Sequence, residues 1–282
     1  MMNWWQHIPE HIDPIVCSFG IFSISWYSAA FFLGAVFSLL FLRRVTCRDS
    51  IRVLSRGEFL DFSLFLLGGA IIGARLGYAI LYNAAFFVAH PTSLVLPFDL
   101  ETGAWIGIAG MSAHGGIVGI VLAVFVFAWK YRKPVWVLLD AVALSVPIAI
   151  FFGRLGNFFM GELFGRVTSV SWGMFFPRAG DALLHHPSQL YEACGEGIVL
   201  WVVFLVLSRR MKIPGQLFSW ALGLYGGVRF FLEYFREPDR QIGFIWSIFT
   251  LGQLFCFVQI IVAAALLWWM RKGRNAILPR TG

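Results

Sequence analysis

Two long stretches of the chain contain no ionic side chain, and they limit the possible folds more than any other feature. Neither residues 15–42 nor residues 242–270 include an Asp, Glu, Lys or Arg. About 20 apolar helical residues cross the hydrocarbon core of a membrane, so each stretch is long enough to do so. Backbone groups in lipid must be satisfied within the segment, which favours helices. These stretches therefore predict a helical integral membrane protein.

The rest of the sequence extends this prediction to most of the chain. Hydrophobic residues make up 59% and charged residues 13%, whereas soluble domains carry about 25% charged residues. Seven apolar runs lie near residues 18–42, 60–82, 113–129, 135–152, 188–208, 216–235 and 243–270. We therefore expect an all-α, polytopic bundle of seven transmembrane helices that forms one membrane domain over residues 1–282.

The basic residues predict the orientation of the bundle. They concentrate in alternate connections, whereas residues 83–112 contain no Lys or Arg. Cytoplasmic loops carry the excess of Lys and Arg, so we expect the N-terminus outside and the C-terminus in the cytoplasm. The net charge of +7 then belongs to one membrane face and gives no support to nucleic-acid binding. The basic connections hold Arg43, Arg44, Arg48, Arg52, Arg56, Lys130, Arg132, Lys133, Arg209, Arg210, Lys212, Arg271, Lys272, Arg274 and Arg280.

A second group of arginines contradicts this trend and falls in outer halves of spans or in outer loops. Charges near lipid are costly and tend to be functional, so the group suggests an anionic partner on the outer side. Ion pairing with nearby acids is the alternative, most of all for Arg236 and Arg240. The arginines are Arg75, Arg154, Arg166, Arg178, Arg229, Arg236 and Arg240, and the acids are Glu162, Glu192, Glu233, Glu237 and Asp239.

Polar motifs from distant parts of the chain are expected to meet at the outer ends of these spans. Gly69, Gly73 and Gly77 form a small-residue stripe that predicts close helix packing. The stretch "GRLGNFFMGELFG", residues 153–165, is expected to follow the fourth span, with glycines that let the backbone turn and approach an anion. The other polar residues at this level are Tyr27, Arg75, Tyr78, Tyr82, His114, Arg154, Asn157, Glu162, Glu192, Glu196, Tyr225, Arg229 and Glu233.

These residue types favour a phosphate-binding site. The guanidinium fork of Arg matches phosphate oxygens, and phospholipid is the phosphate present at a membrane face. A transporter of organic phosphate is the alternative, although the sequence contains neither an inverted repeat nor paired broken helices. A non-catalytic membrane scaffold is a third reading. Asp140, near the inner end of the fourth span, is expected to be a structural acid. The four cysteines have no spacing that suggests disulfides or a metal site.

Four motifs carry a resemblance to a known family. "GRLGNFFMGELFGRV", "MSAHGG", "HPSQLYEA" and "YGGVRFFLEYFREPD" resemble the prolipoprotein diacylglyceryl transferases, over about residues 25–239. The resemblance implies that the diacylglyceryl group of phosphatidylglycerol moves to the thiol of a lipobox cysteine in a prolipoprotein. A thioether forms and glycerol phosphate leaves, with no metal or soluble cofactor. It also implies a location in the bacterial inner membrane, with the active site at the outer-leaflet side.

The resemblance also implies roles for single residues. Arg154, Arg229 and Gly165 are expected to bind phosphatidylglycerol, and the catalytic group is expected to be His114, Arg229, Glu162, Asn157, Glu233 and Tyr27. A thiol with a pKa near 8.5 must lose its proton to attack. Arg stays protonated and cannot serve as the base, so His114 and Glu162 are the candidates. The chain departs from the family pattern at Met160, where Asn is usual, and at Ala113, where Phe is usual.

Overall fold

The computed structural model describes residues 4–19, 22–48, 53–95, 110–237, 244–245 and 249–277. Predictions that involve Arg52, Asp239, Arg240 and Arg280 lie outside these residues. The described α-helices are α1 (Trp26–Arg43), α2 (Arg56–Tyr82), α3 (Ala84–Ala89), α4 (Ala113–Tyr131), α5 (Val135–Phe159), α6 (Ser188–Glu192), α7 (Leu200–Ser208), α8 (Gln216–Leu232) and α9 (Leu251–Ile277). The described strands are β1 (Ile15–Phe19), β2 (Phe22–Ser25), β3 (Phe244–Ile245) and β4 (Phe249–Thr250), with β1 antiparallel to β2 and β3 to β4.

Within the described residues, six helical segments are long and apolar enough to cross a membrane. They are Trp26–Cys47, Arg56–Tyr82, Ala113–Tyr131, Val135–Phe159, Ser188–Ser208 and Leu251–Lys272. The chain is therefore mostly helical and has the composition of a multi-pass membrane protein. α8, with 17 residues, is not one of the six, so the seventh span and the orientation of the termini stay predictions.

The first apolar run does not begin as a helix, so the predicted start near residue 18 is wrong. β1 pairs with β2, with Cys17 opposite Ile24 and Ser18 opposite Ser23. The sequence of β2 alternates apolar and polar residues as Phe-Ser-Ile-Ser, which is the period of a half-exposed strand. α1 begins only after this hairpin, at Trp26.

The last apolar run also begins as strand, so the prediction of a helix from residue 243 is wrong at its start. α9 begins at Leu251 because Thr250 caps it. The Thr250 hydroxyl accepts a hydrogen bond from the Gln253 backbone N–H at 3.2 Å, and the Gln253 side chain accepts one from the Thr250 N–H at 3.1 Å. This reciprocal pair is a capping box.

The fourth predicted span corresponds to α5, which is longer than predicted and includes about half of the stretch 153–165. α5 continues to Phe159, so the expectation that the whole stretch lies outside the span is wrong, and Gly153 and Gly156 do not turn the chain. At Gly156 a Cβ would lie only 3.1 Å from the Tyr27 Cα, so this glycine lets α1 approach α5. The turn comes at Gly161, which has a φ of +63°, a conformation favourable for glycine.

The chain divides into two compact units, residues 43–139 and residues 1–42 with 140–282, while the single membrane domain stays a prediction. In the first unit, α2 packs on α4 backbone to backbone. A Cβ at Gly69 would lie 2.6 Å from the Gly119 carbonyl oxygen, and one at Gly77 would lie 2.7 Å from the Gly115 Cα. Gly73 contacts both Gly115 and Gly119. The predicted packing role of the glycine stripe is confirmed.

Arg75 of α2 has a structural environment in the same unit. Its guanidinium donates hydrogen bonds to the backbone oxygens of Ser93, Leu94 and Gly110 at 2.6, 3.1 and 3.2 Å. It also lies 5.0 Å from the centre of the Phe87 ring, within the range of a cation–π interaction. Arg75 therefore holds the segment that follows α2.

Candidate active site

The second unit contains a cluster of buried charges where three helical segments meet. α5 supplies Arg154, the segment Ser188–Ser208 supplies Glu192 and Glu196, and α8 supplies Arg229. Neither glutamate side chain has any exposed surface, and the arginine side chains are 13% and 6% exposed. With Glu233 and Arg236, which follow α8, these six side chains are called the Arg–Glu cluster below.

Glu192 is the centre of the cluster because it contacts three arginines. Its Oε1 accepts a hydrogen bond from Arg229 Nη1 at 2.5 Å and lies 3.8 Å from Arg236 Nη1. Its Oε2 lies 3.0 Å from Arg154 Nη1, although the contact lacks the geometry of a hydrogen bond. One carboxylate thus holds Arg154 and Arg229 together, with their guanidinium groups at the same place.

Glu196 contacts both Arg154 and Arg229, and Glu233 contacts Arg229. Glu196 accepts hydrogen bonds from Arg154 Nη2 at 3.3 Å and from Arg229 Nη1 at 3.5 Å. Glu233 Oε2 lies 2.5 Å from Arg229 Nη2, one turn away on the same chain segment, and its Oε1 accepts a hydrogen bond from the Thr250 hydroxyl at 2.9 Å. The predicted alignment of Arg229 and Glu233 on one face is confirmed.

A π-helical turn, Ala193–Val199, carries Glu196. Such turns are rare and frequently lie at functional sites. Glycines on both sides of Glu196 let neighbouring helices approach: a Cβ at Gly197 would lie 2.7 Å from the Phe151 Cβ of α5, and one at Gly195 would lie 3.2 Å from the Leu232 side chain of α8. The two glutamates therefore sit on a segment closely packed between the helices that carry the arginines.

Asp140 ties the other end of α5 to α8. Its carboxylate accepts hydrogen bonds from the backbone N–H groups of Gly215 and Phe218, both at 2.7 Å. Asp140 thereby caps α8, where a negative charge also interacts favourably with the helix dipole. Arg154 follows Asp140 by fourteen residues, and Arg229 follows Gly215 by fourteen. At 1.5 Å per residue, each arginine lies about 21 Å along its helix from the contact between Asp140 and the start of α8. Arg154 and Arg229 therefore lie at the same height along α5 and α8.

Three of the predicted site residues, Asn157, Glu162 and Gly165, lie beside the cluster. Glu162 is 40% exposed and forms an ion pair with Arg178, which is 45% exposed. Asn157 is buried, and its backbone oxygen accepts a hydrogen bond from the Glu162 N–H at 2.9 Å. Gly165 packs closely against His186 and Phe235, and its N–H donates to the His186 oxygen at 2.8 Å. In this structure Gly165 allows close packing of backbone, while its role toward lipid stays a prediction.

Two tyrosines lie within electrostatic range of the arginines. Tyr27, at the start of α1, interacts with both Arg154 and Glu162. Tyr225, one turn before Arg229, interacts with Glu196, Arg229 and Arg154. Tyr27, Arg154, Glu162, Arg229 and Glu233 thus belong to the same unit, while their roles stay predictions.

His114 belongs to the other unit, and its role as a base stays a prediction. It lies in the first turn of α4, two residues after Ser112, whose side chain accepts a hydrogen bond from the Gly115 N–H at 3.3 Å. Ser112 therefore caps the helix that carries His114.

The segment between α5 and α6 is held by its own polar contacts. His185 is buried, and its ring contacts the Gly165 backbone oxygen at 2.8 Å and the Asp181 carboxylate at 3.1 Å. The contact with His185 lowers the pKa of Asp181 from its ordinary value. Burial lowers the pKa of His186, because a partly desolvated imidazole disfavours its charged form. These contacts fix the chain that leads from Glu162 to Glu192.

The structure answers the question raised by the outer arginines. Arg154, Arg178, Arg229 and Arg236 are ion-paired, which is the alternative considered for them. Arg166 donates a hydrogen bond to the Arg236 backbone oxygen at 2.9 Å. Arg154 and Arg229 thus have carboxylate partners in this structure, and a bound anion must share or replace those partners.

Four residues of the site, Glu192, Glu196, Arg236 and Gln189, were not among the predicted site residues. Glu192, Glu196 and Arg236 were named among the polar and charged residues of the outer side but were not assigned a role. Gln189 is fully buried, and its side-chain N–H group donates to the Glu162 backbone oxygen at 2.7 Å. Its Oε1 has no hydrogen-bond partner in the described part of the chain. Gln189, Glu192 and Glu196 follow one another at about one helical turn inside an apolar run, and this spacing is the signal that could have identified them.

The fold and the cluster define a class of protein. Ionisable residues inside a membrane bundle are costly, face the protein interior and mark functional sites. Six such side chains meet here within a mostly helical chain that has several candidate membrane spans. The class is therefore a multi-pass helical membrane protein with a buried, charged functional site.

Comparison with known proteins identifies the family. Residues 14–269 match the family described as prolipoprotein diacylglyceryl transferase. The chain is 42% identical over 254 residues to the phosphatidylglycerol–prolipoprotein diacylglyceryl transferase of Wolbachia sp. subsp. Drosophila simulans (strain wRi), with 89% of this chain and 92% of that protein covered. It is 37% identical over 279 residues to the protein of that name from Chlorobaculum tepidum, with 97% and 96% covered. The chain belongs to the prolipoprotein diacylglyceryl transferase family, which confirms the resemblance.

Proposed function

We propose that this protein transfers the diacylglyceryl group of phosphatidylglycerol to the thiol of a lipobox cysteine in a prolipoprotein. This reaction is the first step of bacterial lipoprotein maturation. The relatives are named for these two substrates. The observation that carries the proposal within the chain is the position of Arg154 and Arg229, which contact one buried carboxylate, Glu192, from two helices. Two guanidinium groups so placed suit one phosphate.

The reaction forms one bond and breaks one. The substrate thiolate attacks the glycerol carbon next to the phosphate, the new C–S bond forms, and the C–O bond breaks. Its electron pair goes to the phosphate oxygen, and glycerol phosphate leaves. Arg154 and Arg229 stabilise the charge on that oxygen in a site that excludes most water. The thiol proton goes to a base, for which His114 and Glu162 are the candidates.

The remaining residues have supporting roles in this proposal. Glu233 orients Arg229 through their ion pair. Asn157 and Gly165 keep the segment around Glu162 in place, and Tyr27 borders the site from α1. No residue of the proposal requires a metal or a soluble cofactor.

We also propose that α8 is a seventh membrane span. Its 17 residues extend about 25 Å, which is slightly less than the thickness of a hydrocarbon core. With seven spans, the basic connections all fall on the cytoplasmic side, the N-terminus lies outside and the C-terminus inside. The protein then lies in the bacterial inner membrane, with Arg154 and Arg229 near the outer leaflet.

The test uses the full chain in membranes with labelled phosphatidylglycerol and a lipobox peptide. We expect a thioether-linked, lipidated peptide from the wild type and no product from Arg154→Ala. Arg210→Ala, which removes an exposed arginine after α7, is the matched control and should retain activity. Absence of product from the wild type, under conditions in which a relative is active, would contradict the transfer reaction. Uptake of an organic phosphate into proteoliposomes, unaffected by the peptide, would favour a transporter.

A further inference from the structure

The six side chains of the Arg–Glu cluster together carry no net charge when all of them are ionised. Its three arginines and three glutamates are joined by ion pairs. The phosphodiester of phosphatidylglycerol adds one negative charge. A buried charge without a partner is strongly unfavourable, so binding of the phosphate requires one carboxylate to lose its charge.

The three glutamates are not held equally. Glu192 contacts three arginines, with a shortest distance of 2.5 Å. Glu233 contacts Arg229 at 2.5 Å and also accepts a hydrogen bond from Thr250. Glu196 contacts Arg154 and Arg229 only at 3.3 and 3.5 Å, beyond the usual range of charge-assisted hydrogen bonds. Glu196 is therefore the carboxylate that is most easily displaced.

The backbone around Glu196 also favours displacement. Glu192 ends a regular α-helix, whereas Glu196 lies inside the π-helical turn Ala193–Val199. A π turn contains an extra residue, so a shift of that turn by one position rotates Glu196 relative to Glu192. The two carboxylates can therefore separate without unfolding the segment.

Resting on the transfer reaction proposed above, we propose that Glu196 is a displaceable counterion for Arg154 and Arg229. In the free protein it pairs with both arginines. When the phosphate binds, Glu196 releases them and takes up one proton, and the charges of the site balance again. The groups that face Glu196 are Arg154 from α5, Tyr225 and Arg229 from α8, and Cys256 from α9, besides Glu192 on its own segment.

In this role Glu196 acts both before the substrate binds and after the transfer. Before substrate arrives, it keeps two buried guanidinium groups paired and correctly oriented. After transfer, its return to Arg154 and Arg229 competes with glycerol phosphate and promotes release of this product. Glu196 thus acts on substrate through the two arginines and is a positioning residue.

The test replaces Glu196 with Gln, which keeps the shape and removes the charge. Without lipid, the variant should unfold at a lower temperature than the wild type, because Arg154 and Arg229 lose part of their counter-charge. Its KM for phosphatidylglycerol should fall at least about threefold, since binding no longer includes displacement of a charged partner. Its kcat should fall as well, because glycerol phosphate leaves more slowly. Glu192→Gln is the matched control, and its KM should rise, because Glu192 is the carboxylate that holds Arg154 and Arg229 at the same place.

Added ligands identify the chemistry that the site recognises. Phosphatidylglycerol in nanodiscs should raise the unfolding temperature of Glu196→Gln more than that of the wild type, because ligand binding stabilises the state that binds. Stabilisation by glycerol phosphate alone would assign the effect to the head group, and stabilisation by the lipid alone would assign it to the lipid-bound phosphate. An equal effect of neutral diacylglycerol would contradict a role of charge.

The outcomes separate this inference from the transfer reaction. Product from the wild type, together with an unchanged or higher KM in Glu196→Gln, would overturn the role of Glu196 and leave the reaction intact. If the variant does not fold, proton uptake by the wild type decides the matter. Addition of phosphatidylglycerol to the protein in weakly buffered solution should remove about one proton per site from the medium, and the absence of uptake would overturn the inference.

Discussion

Two helix interfaces of this protein differ in the residues that join the helices. α2 and α4 meet through glycine backbones, with Gly73 in contact with Gly115 and Gly119. α5, α8 and the segment between them meet through fully buried carboxylates and nearly buried arginines. Van der Waals contact of small residues is sufficient to join helices in lipid. The charged interface is therefore not needed for packing, and this difference indicates a functional reason for its cost.

Removal of a central arginine should have the largest effect on this comparison. Arg229→Ala leaves Glu192 and Glu233 with less positive charge while both stay buried. We expect a loss of roughly 3–5 kcal/mol in the free energy of unfolding and no detectable lipidation. Denaturant unfolding in detergent and the peptide assay measure the two effects. Arg210→Ala, on an exposed arginine, should change stability by less than about 0.5 kcal/mol. A stable Arg229→Ala variant would show that the cluster is not buried as described.

Substitution within the glycine interface should have the next largest effect. Gly73→Ala places a methyl group against the Gly115 and Gly119 backbone of α4. We expect a cost of about 1–3 kcal/mol from overpacking, measured by thermal unfolding in detergent. Gly68→Ala is the matched control on the same helix, because a Cβ there meets nothing within 4 Å. Equal behaviour of the two variants would argue against close α2–α4 contact.

Asp140 offers a smaller test, at the end of the charged interface far from the arginines. Asp140→Ala removes the acceptor of the Gly215 and Phe218 N–H groups. Loss of such a cap costs roughly 0.5–2 kcal/mol. If Asp140 also sets the level of Arg229, the KM for phosphatidylglycerol should rise.

A double-mutant cycle separates these two roles of Asp140. If Asp140 acts on KM through Arg229, Asp140→Ala should change the KM little when Arg229 has already been replaced by Lys. Mutations at distant sites that act independently normally have additive effects instead. Additive effects on KM would show that Asp140 only caps α8 and does not position Arg229.

Much of this arrangement could be predicted from the sequence, and the failures have physical reasons. The glycine stripe predicted the α2–α4 contact because spacing alone places Gly69, Gly73 and Gly77 on one face. Arg229 and Glu233 were found for the same reason. The starts of α1 and α9 were missed because the apolar run was given more weight than local signals. Those signals were the Phe-Ser-Ile-Ser alternation before α1 and the Thr250–Gln253 capping box before α9.

The centre of the site was less predictable. Glu192 gains its role from arginines 38 and 37 residues away in sequence, and Glu196 lies in a π turn that no local pattern indicated. Resemblance identified Arg154 and Arg229 but gave no information about their partners. Long-range ion pairs depend on how helices are arranged around one another, and a single sequence does not contain that arrangement in any local pattern.

The smallest expected effect concerns the exposed pair of Glu162 and Arg178, which contrasts with the buried pairs of the same unit. Both side chains are at least 40% exposed, and such pairs contribute about 0–1 kcal/mol. Arg178→Ala should therefore shift stability by less than about 1 kcal/mol, and salt should weaken the wild-type contribution because it screens exposed charges. Glu162→Gln should change stability as little but reduce lipidation, since Glu162 is a candidate base. If instead both variants lose activity equally, the pair acts as a structural unit, and His114 becomes the remaining candidate.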